Sequence, residues 1–141
     1  MEDELTDYTN RFRTAFEMLH RKLGHAVLAE LNSELTPRHL FMLAMISKEK
    51  LPKQSQLAER LGVKPSAITV MIDRLVESGH VIRKHHETDR RIVLVENTAA
   101  GDAVLAQATE VQKQVVARGL AQLPPDELPI FINAFEKFNS F

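Results

Sequence analysis

The side chains that could do chemistry in this sequence are concentrated between residues 53 and 91. That segment carries eight basic residues against five acidic ones, whereas residues 1–50 carry seven against eight and residues 92–141 carry three against six. Because Lys and Arg neutralise phosphate, a basic segment between acidic flanks suits a small DNA-binding surface, although the net charge is -1. Chance variation in a mixed surface explains the same asymmetry equally well. The basic residues of the segment are Lys53, Arg60, Lys64, Arg74, Arg83, Lys84, Arg90 and Arg91.

Catalytic and metal-binding patterns are weak in the chain. There is no cysteine, which excludes disulfides, thiolate zinc sites and thiol-based redox sensing. We find no Gly-rich phosphate loop, no nucleophile elbow and no convincing pair of carboxylates, so we expect neither an enzyme nor a cofactor. Imidazole is a common zinc ligand, which keeps a zinc-responsive regulator as an alternative, but the histidine spacing does not favour a metal site. The histidines are His20, His25, His39, His80, His85 and His86.

Two short helices joined by a tight turn are predicted inside the basic segment. Residues Gln54–Leu61 have the pattern of a short helix, and Gly62 is placed to end it in a left-handed conformation. Pro65 suits the first position of a second helix, which is predicted to end near Glu77. A helix, a short turn with glycine and another helix form the helix-turn-helix pattern, whose second helix enters the major groove of DNA.

The second of these helices has two distinct faces. Its opposite, less apolar side offers Ser66, Thr69 and Val70, which are small enough to let the helix backbone approach the edges of DNA bases. The apolar face that should pack in the core consists of Ile68, Ile72, Leu75 and Val76.

A β-hairpin with a charged tip is predicted directly after the second helix. Residues Val81–Lys84 and Ile92–Val95 are short β-prone runs, and the seven residues between them are polar and strongly charged. A hairpin at this place in the chain is a wing. Its paired cations, Arg90 and Arg91, could enter a minor groove, where negative potential is concentrated.

Long amphipathic helices are predicted towards both ends of the chain. Apolar residues follow helical spacing from Leu5 to about Leu31, and from a Thr98 cap to about Leu120. Thr36-Pro37 is a second helix start, and a last stripe runs from Leu128 to Phe138. These ends carry more large apolar side chains than a small head can cover, so we expect a two-fold dimer, with packing inside one monomer as the alternative.

Longer runs of the sequence resemble the MarR family of winged helix-turn-helix regulators. They are residues 73–83 (Asp-Arg-Leu-Val-Glu-Ser-Gly-His-Val-Ile-Arg), 89–91 (Asp-Arg-Arg) and 97–101 (Asn-Thr-Ala-Ala-Gly). The resemblance implies one domain over residues 1–141 that is mainly α with a small β-hairpin wing. Residues 36–97 would form the winged helix-turn-helix DNA-binding region, and residues 1–35 and 98–141 the helical dimerisation region.

The function implied by this resemblance is gene regulation by a homodimer. Such a dimer would bind a pseudo-palindromic operator in double-stranded DNA, most often as a repressor. A small aromatic or anionic ligand would release it.

The resemblance also assigns individual residues. It places Ser66 and Thr69 at groove-facing positions, Arg91 at the wing tip, and Asp89 as the acid that orients Arg91. Two positions depart from the family pattern. Lys64 stands where a small hydroxyl residue usually caps the helix, so either Ser66 caps it or Lys64 binds a phosphate. Val70 stands where arginine is frequent, which favours contact with a thymine methyl group. With the nearby cations, the predicted DNA-binding set is Lys53, Lys64, Ser66, Thr69, Val70, Arg74, Asp89, Arg90 and Arg91.

The resemblance implies an effector site between the dimerisation helices and the head. An aromatic weak acid would need an apolar wall and one cationic or hydrogen-bonding partner, which His20 or Arg13 could supply. The cluster of Phe41, Met42 and Met45 could line this site or fill the core, and core packing is the favoured interpretation. The candidate ligand residues are Arg13, Phe16, His20, Phe41 and Met45.

Composition predicts a soluble, cytoplasmic protein without a membrane partner. No apolar run approaches the roughly 18 residues that span a bilayer, and the N-terminal Met-Glu-Asp-Glu lacks the positive charge of a signal peptide. A winged-helix module that contacts protein instead of DNA is the competing function. It would need an uncharged wing and an apolar or acidic recognition face, and this sequence has the reverse.

Overall fold

The computed structural model describes residues 1–31 and 34–141 and is mainly helical with one antiparallel hairpin, as predicted. The predicted elements are present, and their ends differ from the prediction by a few residues. No helix in the described part of the chain is long and apolar enough to cross a membrane. The elements are α1 (Glu2–Glu30), α2 (Pro37–Glu49), α3 (Gln54–Leu61), α4 (Pro65–Glu77), β1 (Val81–His85), β2 (Val93–Asn97), α5 (Ala99–Leu120) and α6 (Leu128–Phe138).

Local sequence chemistry explains where these helices begin and end. Thr36 is extended and caps α2, which has Pro37 in its first turn. Gly62 ends α3 with a φ of 64°, and Gly79 follows α4 with a φ of 82°. Both angles lie in the left-handed region that glycine adopts without steric cost, so each helix stops where the chain must turn.

Residues Leu28–Thr109 form one compact unit, whose core holds the helix-turn-helix and the hairpin together. From α4, Ile68, Ile72 and Leu75 are fully buried, whereas Val76, predicted to join them, stays partly exposed. Because these side chains share one stripe, the opposite side of α4 must face outwards. The fully buried side chains of the unit are Met42, Leu43, Leu57, Ile68, Ile72, Leu75, Val81 and Val95.

The hairpin is tied to the chain segment that precedes α3. Strands β1 and β2 pair with Val81 opposite Asn97 and Arg83 opposite Val95. The Val95 backbone N–H donates to the Pro52 carbonyl at 3.0 Å, and Lys53 forms a bridge with Leu94. The beginning of α3 and the base of the wing are therefore held side by side.

A glycine allows the first turn of α5 to lie against the start of the hairpin. A Cβ atom added to Gly101 would lie 2.2 Å from the His80 carbonyl oxygen, which no side chain tolerates. Thr98 caps this turn by accepting a hydrogen bond from the Gly101 N–H at 3.2 Å, and its hydroxyl donates to the Gly79 carbonyl at 2.6 Å.

Residues Met1–Val27 and Glu110–Phe141 form the second compact unit, and its surface carries a row of phenylalanine rings. The rings of Phe12 and Phe138 lie 4.8 Å apart, which joins the two ends of the chain. Phe16 extends the row from Phe12, and Phe135 and Phe131 extend it from Phe138. We call these five residues the aromatic row. Each of them remains about half exposed in the single chain.

The prediction for one core residue, Phe41, is wrong. Phe41 was expected to pack in the core with Met42 and Met45, but 57% of its surface is exposed. Met42 is fully buried and Met45 half-buried. The helix α2 turns Leu43 to the core together with Met42, and Phe41 lies outside that buried stripe.

The cap of α2 depends on an unprotonated histidine. The Thr36 N–H donates to Nδ1 of His39 at 3.1 Å, and the His39 N–H donates to the Thr36 hydroxyl at 3.4 Å. Burial lowers the pKa of His39 below its ordinary value of 6.5, and the charges of Arg74 and Arg38 lower it further. The folded protein therefore favours the neutral ring, which can accept the hydrogen bond.

We expect the free energy of unfolding to fall as the pH decreases below about 6.5. The pKa of His39 is lower in the folded than in the unfolded chain, so the stabilisation is complete above pH 6.5 and is lost as the pH falls through the folded pKa. His39→Gln should flatten this slope, since an amide oxygen accepts the same N–H at every pH. Urea unfolding across the pH range measures it. Equal slopes in the two proteins would show that the cap does not titrate.

Candidate nucleic-acid interface

The exposed side of α4 carries the three residues predicted to read DNA. Ser66, Thr69 and Val70 are all exposed, and Val70 exposes 68% of its surface. We call these three residues the reading face. A valine this exposed on a helix whose other side is fully buried is an apolar surface available to a partner.

The start of α4 has no side-chain cap. Lys64 occupies the N-cap position without a side-chain hydrogen bond, and Ser66 makes no side-chain hydrogen bond with any described residue. The sequence left open either a cap from Ser66 or a phosphate contact by Lys64. The structure shows no cap from Ser66. The hydroxyl of Ser66 and the ammonium of Lys64 both stay available at the positive end of the helix dipole.

The wing tip holds one arginine by a carboxylate. Asp89 Oδ1 accepts from Nε of Arg91 at 3.1 Å and from its backbone N–H at 3.0 Å, and Oδ2 accepts from Nη2 at 3.1 Å. These hydrogen bonds lower the pKa of Asp89 and raise the pKa of Arg91. The Arg91 side chain is 92% exposed. The carboxylate thus orients a guanidinium that points into solvent.

A cleft of about 350 Å³ separates the wing from the helix-turn-helix. Its lining includes three members of the predicted DNA-binding set that come from different parts of the chain. Lys53 precedes α3, Thr69 lies on α4, and Arg91 lies at the wing tip. The remaining predicted residues do not border the cleft. The cleft is lined by Lys53, Gln54, Ser55, Ala58, Pro65, Ile68, Thr69, Arg91, Ile92 and Val93.

Ion pairs divide the basic residues of the segment into two groups. Arg60 pairs with Glu49 at 2.6 Å, Arg83 with Asp73 at 2.7 Å, Arg91 with Asp89 at 3.1 Å, and Lys84 with Glu96. Within residues 1–31 and 34–141, no carboxylate lies within ion-pair distance of the other group. Its members are Lys53, Lys64, Arg74 and Arg90.

Sequence reasoning missed three residues behind the reading face. Gln54 donates from Nε2 to the Thr69 hydroxyl at 3.2 Å, and Arg83 donates from Nε to Oε1 of Gln54 at 3.0 Å. Asp73 completes the group through its ion pair with Arg83. The only signal in the sequence was that Arg83, a cation in a predicted strand, follows a helix that carries the acidic residue Asp73.

The candidate effector residues do not form a single group. Phe16 and His20 line an open cavity of about 380 Å³ together with Glu17 and Arg21, all on α1. Arg13 lies on the same helix but does not line the cavity. Phe41 and Met45 belong to the other compact unit.

The histidines of the wing engage in local hydrogen bonds. Nδ1 of His86 lies 3.0 Å from the Thr88 hydroxyl, and Nδ1 of His85 lies 3.3 Å from the Arg90 carbonyl. Across the part of the chain that the structure describes, no group of three or more histidine, aspartate or glutamate residues could hold a metal ion.

Comparisons with known proteins agree with this geometry. The model of the MarR family matches residues 35–93, which contain the helix-turn-helix and most of the hairpin. The HTH-type transcriptional repressor MdtR of Bacillus subtilis is 34% identical over 115 residues, covering 81% of this chain and 74% of MdtR. The chain belongs to the MarR family. The predicted family is thereby confirmed, and with it the expectation of a transcriptional regulator, a non-enzymatic class.

Solved structures of other proteins have the same fold. The crystal structure of RV1404 from Mycobacterium tuberculosis has a TM-score of 0.84 at 30% identity, covering 95% of this chain and 90% of RV1404. A mutant MarR from E. coli complexed with operator DNA has a TM-score of 0.67 at 24% identity, covering 96% of this chain and 98% of that one. The second likeness shows the fold alone, and together they confirm the winged-helix architecture.

Proposed function

We propose that this MarR-family chain is a homodimeric, sequence-specific repressor that binds a pseudo-palindromic operator. One observation carries the proposal. The helix α4 is anchored on one side by Ile68, Ile72 and Leu75, and leaves the reading face exposed beside a wing whose Arg91 is oriented by Asp89. A rigid helix with small exposed side chains is what major-groove recognition requires.

The proposed contacts divide into base reading and phosphate binding. The reading face would meet base edges in the major groove, with the exposed Val70 against a thymine methyl group. The unpaired cations Lys53, Lys64 and Arg74 would neutralise phosphates around it. Arg90 and Arg91 would reach an adjacent minor groove, whose negative potential attracts guanidinium groups.

The aromatic row supports a second copy of the chain as partner. Fully burying a phenylalanine stabilises a protein by about 1.5–3 kcal/mol, and monomers rarely leave a contiguous apolar patch exposed. A two-fold interface through this row would give two recognition helices for two half-sites about one helical turn apart. Repression follows when such a dimer occupies a promoter, and MdtR is itself named a repressor.

Arg91→Ala should weaken operator binding by roughly 1–3 kcal/mol and reduce the slope of log affinity against log salt by about one, because it removes a cation from the DNA interface. Fluorescence anisotropy with the promoter region upstream of the gene measures both quantities. Arg118→Ala, which removes the same charge from α5, is the matched control and should leave the slope unchanged. If Arg91→Ala bound as tightly as the wild type at physiological salt, the wing would have no contact with DNA. Failure of the wild type to bind any duplex would favour the protein-interaction module.

Phe135→Asp should abolish dimerisation and DNA binding together, since it places a charge within the aromatic row, between Phe138 and Phe131. Light scattering at micromolar concentration gives the oligomeric state, and a gel shift gives the binding. Asn133→Asp adds the same charge two positions earlier on α6, where the side chain is already polar, and should leave the dimer intact. A wild-type monomer both with and without DNA would contradict the proposed architecture.

An aromatic weak acid is proposed as the effector, with Phe16 and His20 as its contacts in the α1 cavity. The ring would pack on Phe16, and His20 or Arg21 would bind the carboxylate in preference to Arg13, which does not line the cavity. Phe41 and Met45 are not part of this proposed contact set, because they belong to the other compact unit and do not line the cavity.

Release by this ligand requires reciprocal coupling. An acid that weakens operator binding must bind the DNA-free dimer more tightly by the same factor. Calorimetric titration of salicylate into free and operator-bound dimer should show that difference, and Phe16→Ala should remove it. Equal affinities, or no binding at millimolar concentration, would leave a regulator controlled by its abundance.

A further inference from the structure

Three side chains behind the reading face form a hydrogen-bond relay that ends on Thr69. We infer that Arg83 and Gln54 are positioning residues that hold the Thr69 hydroxyl inside the protein, so that Thr69 reads a thymine methyl group through its own γ-methyl group. The inference rests on the proposed function and states which chemical group of the operator this residue recognises.

The first link fixes the orientation of the Gln54 amide. Nε of Arg83 is a donor only, so the atom of Gln54 that lies 3.0 Å from it must be the oxygen. The amide nitrogen is then the atom that faces Thr69, at 3.2 Å from Oγ1. The usual ambiguity of a glutamine side chain is removed by its neighbour.

The second link fixes the rotamer of Thr69. Oγ1 accepts from Gln54 and donates its single hydrogen to the Pro65 carbonyl at 3.0 Å. A threonine in a helix can adopt two rotamers, and only the one that keeps Oγ1 between these two partners satisfies both hydrogen bonds. Because Thr69 is exposed, the group left at its surface is the γ-methyl group.

Arg83 is itself immobilised, so the relay has a fixed origin. Nη2 forms an ion pair with Asp73 at 2.7 Å and lies 3.4 Å from the Thr69 carbonyl, and its side chain is 29% exposed. With its guanidinium occupied by partners on α3 and α4, Arg83 is not available to a phosphate. Arg83 is one of the basic residues between positions 53 and 91, but its role is to hold other side chains of the protein and not to bind DNA.

The relay makes the reading face more apolar than its sequence indicates. Val70 is apolar by composition, and Thr69 becomes apolar because its oxygen is engaged. In the major groove only thymine presents a methyl group, whereas guanine presents acceptors that would need a donor. Two adjacent apolar groups therefore favour thymine at the base pairs they meet.

Replacement of thymine by deoxyuridine removes one methyl group and tests the inference directly. Duplexes bound by the wild type are first selected from a random pool, and each thymine of a half-site is then replaced in turn. At the base pair facing Thr69, we expect the wild type to lose about fourfold in affinity, which is the worth of one buried methyl group. Thr69→Val should lose the same factor, because it keeps the methyl group. Thr69→Ser should be insensitive to the deoxyuridine replacement, because serine has no methyl group.

Variants of the relay separate positioning from general structural support. Gln54→Leu removes one of the two partners of Oγ1, leaves only the Pro65 carbonyl to hold the rotamer, and should reduce the fourfold effect towards one. Gln54→Glu should preserve the effect, since a carboxylate accepts from Arg83 and can accept the Thr69 hydroxyl hydrogen in place of the Pro65 carbonyl, which keeps Oγ1 inside the protein. A merely structural role would weaken binding to thymine and deoxyuridine duplexes equally. Arg83→Met should reduce the effect as Gln54→Leu does, without changing the salt slope.

Four results would overturn the inference. They are a Thr69→Ser protein as sensitive to methyl removal as the wild type, a Thr69→Val protein that loses the sensitivity, a Gln54→Leu protein that retains it, and a salt slope that falls by about one in Arg83→Met. If the wild type selects duplexes and one of these results is obtained with a variant, only the inference fails. If the wild type selects no duplex, the proposed function fails with it.

Discussion

The buried stripe of α4 decides what the rest of the molecule can do. Ile68, Ile72 and Leu75 are fully enclosed, and each contributes about 1.5–3 kcal/mol by leaving water. A rotation of α4 by one residue, about 100°, would expose this stripe and bury the reading face. The core therefore sets the orientation of the recognition helix before any partner is met. The hairpin follows from the same anchor, because Val81 and Val95 belong to that core.

Ion pairing removes the conflict between a slightly acidic chain and a DNA-binding function. Net charge sums every residue, but counterion release depends on the cations that can reach a phosphate, and these are the unpaired cations together with Arg91, which is 92% exposed. Arg60, Lys84 and Arg83 are engaged by carboxylates, whereas Lys64 and Arg90 are not. The charge that matters to DNA is local, because the excess of acidic residues falls in residues 1–50 and 92–141.

Much of the fold was predictable because its signals are local. The Thr36-Pro37 start, the Gly62 turn and the apolar spacing of α4 each act within a few residues, where the backbone preferences of a residue are expressed directly. The relay was not predictable, because Gln54 meets Thr69 and Arg83 only after α3, α4 and β1 have packed. Phe41 was misplaced for a related reason. Periodicity shows that α2 has an apolar side but not how wide its buried stripe is, and one aromatic residue lies just beyond it.

The exposed side of α4 has an evolutionary consequence. Ser66 makes no side-chain hydrogen bond with a described residue, and Val70 exposes 68% of its surface, so substitution of either removes few internal contacts. Thr69 is different, because altering it leaves Gln54 without its acceptor. With the proposed contacts, operator preference could change by single substitutions at Ser66 and Val70, whereas a substitution at Thr69 would also disturb Gln54. On the proposed contacts, regulators that diverge from this one would differ in the base pairs that face positions 66 and 70 and would share the one that faces position 69.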